Sequence, residues 1–240
     1  MELFETVLVY LHVTFGFAGL AAFWIPVLTR KGGRTHRRFG RIYVYCAYVV
    51  LASAAASVTY RLIGFFAEGN AIADNPTGVS FLVFLGYLSI VTFITVRHGD
   101  AVLNSKQDPQ SMNTAVNKAL AGVAIAASSG LILFTLVVNP PTRIVLFALS
   151  PIGILLGTGI LKYVTGTNHS PRAWLYEHLG SMLGGGIAFH TAFAVFGSAR
   201  LFDLGLSGWM AVIPWALPAA IGIPASALWT RHYQKKFGEV

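Results

Sequence analysis

EHLGSMLGGGIAFHTAFAVFG, residues Glu177–Gly197, decides how the chain is read. It is apolar, rich in glycine and long enough to cross a bilayer as a helix, which takes roughly 20 residues. Yet it holds a histidine at its centre, His190, and a second histidine and a glutamate, His178 and Glu177, at its start. An ionisable residue at membrane depth is costly, so His190 is a candidate functional residue.

Working outward, six further apolar runs approach or exceed the same length. The expected spans are about 6–29, 42–66, 79–97, 119–138, 143–163, 178–199 and 209–230. In lipid every backbone polar group must be satisfied internally, and continuous apolar runs argue for helices rather than a barrel. The expected fold is therefore an all-α integral membrane protein, a single domain over residues 1–240 built as a bundle of seven transmembrane helices. Composition agrees. The chain is 55% hydrophobic and 11% charged, with mean hydropathy +0.65, where a soluble domain carries about 25% charged residues. The N-terminus, Met1 to Glu5, is acidic and lacks a signal-peptide pattern, so the first run is expected to remain as a span. The third run, with 19 residues, is the shortest.

The net charge of +8 lies in the gaps between runs, so it points to membrane topology and not to nucleic acid. With the N-terminus outside, one side receives Arg30, Lys31, Arg34, Arg37, Arg38, Arg41, Arg97, Lys106, Lys118, Lys162, Arg172, Arg231, Lys235 and Lys236. The other receives Arg61, Arg143 and Arg200. Fourteen against three predicts a cytoplasmic C-terminus, with the lipid bilayer as the partner the sequence implies. Pro151, Pro214, Pro218 and Pro224 mark places where spans bend. Gly153 and Gly157, and Gly180 and Gly184, have small-xxx-small spacing for close helix contact. Trp24, Trp174, Trp209 and Trp229 lie near span ends, as an interfacial belt requires.

The histidines carry the functional expectation. His12 lies roughly 9 Å and His190 roughly 14 Å from the outer ends of their spans at 1.5 Å rise per residue. Both fall in the outer half, which predicts that they face one another. His36, His98, His178 and His232 fall at inner span ends, with Glu177 beside them, and His169 lies in an inner loop. Imidazole ligates both haem iron and divalent metals. The expectation is haem b or a divalent metal held by His12, His190, His178 and His36, or an inner metal site of His36, His98, His178, His232 and Glu177, with electron transfer as the associated role. His178 and His190 are 12 residues apart, which turns them about 120° from one another on a helix. That counts against two haems stacked along one face. No Cys-x-x-Cys-His is present, since Cys46 is the only cysteine, so covalent haem is excluded. Two alternatives stand open: a metal-dependent membrane hydrolase acting on lipid, with Glu177 or Asp100 activating water, and a transporter or non-catalytic accessory subunit. Hydrogen bonding within the bundle accounts for the buried histidines without any ligand.

His36-Arg37-Arg38-Phe39-Gly40-Arg41-Ile42-Tyr43 leads into the second run. With His12, and with Met182 to Phe193 in the sixth run, it resembles a family of bacterial multi-pass membrane proteins of unknown function that carry a His-Arg-x-x-Gly-Arg-x-Tyr motif after their first span. The resemblance covers roughly residues 8–60 and, less closely, 172–200. It implies a multi-pass protein of the bacterial inner membrane and no mechanism. At an interface, Arg37 and Arg41 share a helix face, Gly40 permits close approach, and Tyr43 is expected to place its ring in lipid and its hydroxyl in water.

Overall fold

The computed structural model describes residues 2–201, 210 and 212–239. Among them every regular element is helical: α1 (Glu2–Leu28), α2 (Arg34–Ala67), α3 (Pro76–Ala101), α4 (Ala115–Val138), α5 (Arg143–Leu149), α6 (Pro151–Thr165), α7 (Ala173–Ala192), the short α8 (Ser198–Leu201) and α9 (Ile213–Lys236). A π-helical turn, Phe193–Gly197, joins α7 to α8. Seven of these stretches are long and apolar enough to cross a membrane, with α5 and α6 together forming the fifth and α7 with its π turn the sixth. The last expected span began at residue 209, which lies outside the described residues; the helix there runs Ile213–Lys236.

Most helices outrun the apolar runs that predicted them. The third is 26 residues, not 19. α2 begins at Arg34, eight residues before the expected start, and at 34 residues spans about 51 Å against roughly 30 Å of hydrocarbon. Its surplus includes the Arg34–Arg41 stretch, just over two turns of helix, with all four of its arginines exposed. Local chemistry sets the ends. The Asn75 side chain accepts from the Gly78 N–H at 2.9 Å ahead of Pro76, and Thr114 accepts from the Asn117 N–H at 3.2 Å. Asn139 closes α4 in the left-handed region at φ 48°, before two prolines.

The central helix is α3. It packs against α2, α4, α6 and α7, while α1 lies against α2 and α9 against α7. Three apolar clusters surround it. One joins Phe23, Tyr43, Ala47, Val96 and Phe189; the second joins Ile94, Val102, Ala121, Ile160 and Val164; the third joins Phe84, Tyr87, Leu131 and Leu146. α9 buries no residue and presents Leu217, Ile221, Ile223 and Leu228 outward.

Glycines decide which helices touch closely. A Cβ on Gly153 would sit 2.6 Å from the Ala124 carbonyl, and one on Gly157 2.5 Å from that of Ala121, so this pair is a contact face against α4, as expected. The other expected pair is not. Gly180 faces open space and Gly184 meets Thr95 at 3.4 Å. The close approaches in α7 are instead at Gly185, against Tyr43 and Val96, and Gly186, against Phe23. Spacing alone identified the helix and chose the wrong face.

Pro151 breaks the fifth span, and Tyr87 repairs the break. Its hydroxyl lies 3.0 Å from the Leu149 carbonyl, 2.9 Å from that of Ser150 and 3.1 Å from the Gly153 N–H. The Ser128 hydroxyl reaches the Ser150 carbonyl as well, at 2.5 Å. Backbone groups freed in a membrane helix need such replacements.

Candidate functional site

The two ends of the bundle are named here by the termini: the N-face carries Glu2, and the C-face carries the 29–33 turn and Lys236. The polar side chains concentrate near the C-face ends of α2, α3, α6 and α7.

His36 stands on the first turn of α2 and shares a hydrogen bond of 3.2 Å between Nδ1 and the Pro26 carbonyl. His178 stands on α7 with Nδ1 2.7 Å from the Gly99 carbonyl. That contact exists because Gly99 has no side chain: a Cβ there would meet Ser181 and Met182 at 2.6 Å. A carbonyl only accepts, so in both rings Nδ1 carries the proton and Nε2 keeps its lone pair. The ring centroids of His36 and His178 are 6.4 Å apart, with planes at 65°. Anchoring Nδ1–H on a carbonyl is how proteins hold a metal-ligating histidine in one tautomer and orientation. Lys31 lies within electrostatic range of His36, and Asp100 and Lys106 within range of His178. Lys31 also donates to the Pro26 and Val27 carbonyls at 2.8 and 2.6 Å, closing α1, and lies 5.0 Å over the Trp229 ring. Burial pushes its ammonium down from the ordinary value.

Beside this pair, His98 is 3% exposed and its Nε2 lies 3.0 Å from Glu177 Oε2. An ionised carboxylate only accepts, so Nε2 donates there. Tyr163 packs edge-on against His98 at 5.7 Å and, tilted, against His169 at 4.9 Å. Its hydroxyl is buried without a hydrogen-bond partner. His169 Nε2 lies 2.9 Å from the Gly166 carbonyl. His232 is exposed on α9 with its ring against Tyr233.

These positions revise the sequence expectations. His12 and His190 do not pair. His12 places Nδ1 3.1 Å from the Val50 carbonyl and 3.3 Å from Ser53 Oγ. His190 places Nδ1 2.7 Å from the Gly186 carbonyl, while its Nε2 accepts from the Trp24 indole N–H at 3.0 Å. Trp24 is 12 residues beyond His12 along α1, about 18 Å. The error came from judging depth by Cα. Side chains lean toward the N-terminus of their helix. α1 and α7 are antiparallel, so Trp24 leans toward the N-face and His190 toward the C-face, and they meet. Both ring nitrogens of His190 are thereby used, which suits a structural role. The five-residue inner metal set does not assemble either. Among the described residues no three His, Cys, Asp or Glu side chains converge well enough to hold an ion. Two pairs form instead, His36–His178 and His98–Glu177. Tyr43 is 2% exposed against Phe23, Phe189 and Gly185, and its hydroxyl lacks a partner, so it belongs to the core and not to the interface.

Tyr163 entered no expectation as part of the C-face cluster, and Asp100 entered only as an alternative to Glu177 for activating water. Trp24 as a partner of His190 was also missed; an indole N–H on a helix long and apolar enough to cross a membrane needs an acceptor, and that signal was available.

No protein-family model matches the chain, and comparison with curated proteins and with solved structures finds no match.

Proposed function

We propose that the chain is a multi-pass protein of the bacterial inner membrane, with its N-terminus outside and its C-face in the cytoplasm, that binds haem iron through His36 and His178 and handles electrons there. The observation that carries the reading is the matched state of the two rings: each has Nδ1–H anchored on a backbone carbonyl, each keeps Nε2 as a lone-pair donor, and their centroids are 6.4 Å apart. A metal about 2.0–2.1 Å from each Nε2 would join rings whose centroids are roughly 5–6.5 Å apart, depending on the angle at the metal. Two protein ligands suit haem, where the porphyrin supplies the other four. They fall short of the three or four that hold zinc. Lys31, near the His36 ring, supplies positive charge for a propionate at a membrane boundary. The resemblance to bacterial multi-pass proteins and the fourteen-to-three bias of cations support the location and orientation.

A metal-dependent lipid hydrolase requires three converging donors, which the described residues do not bring together. Transport and an accessory role have no observation that favours them.

The test is an absorption spectrum with iron analysis of monodisperse protein produced with haem precursor supplied. A Soret band is expected in the wild type, lost in His36→Ala and His178→Ala and kept in His12→Ala and His190→Ala. A wild-type protein without Soret band or bound iron sinks the reading.

A further inference from the structure

A second polar site lies on the C-face, between the α3–α4 connection and the α6–α7 connection. It is an open cavity of about 260 Å³, with Lys106, Gln107, Gln110, Thr167, His169 and Ser170 on its walls. The size is just under the roughly 300–1,000 Å³ of sites for drug-sized ligands, so a small group fits it. The lining is rich in donors: one ammonium, two carboxamides, two hydroxyls and an imidazole. No carboxylate lines it. Two acids lie close by and are paired: Asp108 accepts from the Gln110 backbone N–H at 3.0 Å, and Glu239 accepts from the Tyr176 hydroxyl at 2.7 Å, lies 3.5 Å from Arg172 and takes the Ser170 hydroxyl as a further donor.

The walls are braced. The Gln110 carboxamide and the His169 ring both reach the Gly166 carbonyl, which ties the two connections together across the cavity floor. His169 also leans on the buried ring of Tyr163. Lys106 Nζ lies 4.8 Å over the Trp174 ring, at the start of α7. A lysine held over an indole, at the ends of membrane-spanning helices, sits at the level of lipid headgroups.

We propose that this cavity binds a phosphate group, with Lys106 as its charge partner and the Gln110 carboxamide and the Thr167 hydroxyl as donors. Lysine binds phosphate as a point charge, and the neutral donors satisfy the remaining oxygens. The phosphate comes from a lipid headgroup or from a free phosphate, and the site chemistry is the same for both. The inference rests on these two connections alone and does not depend on haem at His36 and His178.

The experiment is a calorimetric titration of the full chain in neutral detergent, with inorganic phosphate in one arm and phosphatidylglycerol in mixed micelles in the other. Phosphatidylcholine micelles and Lys118→Ala, a cation on the same face outside the cavity, are the controls. Lys106 and Gln110 are both exposed, so Lys106→Ala and Gln110→Ala leave the core intact. Affinity is expected to fall about tenfold or more in Lys106→Ala, as for loss of one charge-assisted hydrogen bond, and severalfold in Gln110→Ala, with Lys118→Ala unchanged. Binding of phosphatidylglycerol alone identifies a headgroup site; binding of inorganic phosphate, with or without the lipid, identifies recognition of the phosphate itself. Absence of binding in both arms overturns the proposal. So does an equal loss in Lys118→Ala, which would mean diffuse surface charge, or an affinity unchanged in both cavity variants.

Discussion

Tyr43 carries a hydroxyl into the apolar centre of the bundle and finds no partner there. A buried polar group left unsatisfied costs about 1–3 kcal/mol. Tyr43→Phe removes that group and keeps the ring that packs on Phe23 and Phe189. The variant is expected to melt at the wild-type temperature or above it in a detergent thermal scan. A clear fall in melting temperature would mean that the hydroxyl has a partner in the folded protein. The same residue shows where sequence reading fails at this scale. Counted from the start of the apolar run, Tyr43 is a boundary residue. Counted from the helix start at Arg34 it is more than two turns in, because charged residues can be helical outside the hydrocarbon. The histidines behave alike. Their residue type and approximate level were legible, since a histidine among apolar residues stands out. Their partners were not, because a partner depends on the rotation of two helices and the lean of both side chains, and no single run encodes that. His190 with Trp24, in place of His12, is the result.

At the scale of elements, the seven spans were legible because lipid leaves a helix no other way to satisfy its backbone. Their ends and irregularities depended on particular side chains. Pro151 was a readable break, but Tyr87, 64 residues earlier in the chain, was not a readable remedy. Tyr87→Phe strands the Gly153 N–H and removes the donor to the Leu149 and Ser150 carbonyls. The expected cost is about 1–3 kcal/mol, read as a lower melting temperature together with faster hydrogen exchange at residues 149–154. An unchanged exchange pattern would show that Ser128 suffices alone. The C-terminal segment depends on pH. The Tyr176 hydroxyl, then the Ser170 hydroxyl and Arg172, hold Glu239 below its ordinary value of 4.5. A lowered carboxylate pKa means that the contact contributes in full above that ordinary value and is lost as pH falls through the lowered one. Hydrogen exchange at residues 237–239 is therefore expected to be slow near neutrality and to exceed the intrinsic pH trend only in acid. Glu239→Gln should raise it near neutrality and match the wild type in acid, where the contact is already lost; equal exchange in variant and wild type across the range would remove the contact from the account.

At the scale of the whole molecule, the helices form an antiparallel bundle and the cations predict which face looks inward. The C-face carries the Arg34–Arg41 turn of α2, Lys106, Lys118, Arg172 and the Lys235–Lys236 end of α9, while Arg61 and Arg143 lie at the N-face. Positive loops stay in the cytoplasm, and the rule is strongest for short loops, as all of these are. The prediction suits cysteine labelling, because the one native thiol, Cys46, is 5% exposed and shielded in the core. Glu68 at the N-face end of α2 and Asn113 in the α3–α4 connection are both exposed. A membrane-impermeant maleimide applied to intact cells should label Glu68→Cys at once and Asn113→Cys only after permeabilisation. The opposite order would put the His36–His178 pair and the Lys106 cavity on the outer side of the membrane. Haem and phosphate would then have to reach them from the periplasm, so this one labelling pattern decides which cellular compartment supplies both proposed ligands.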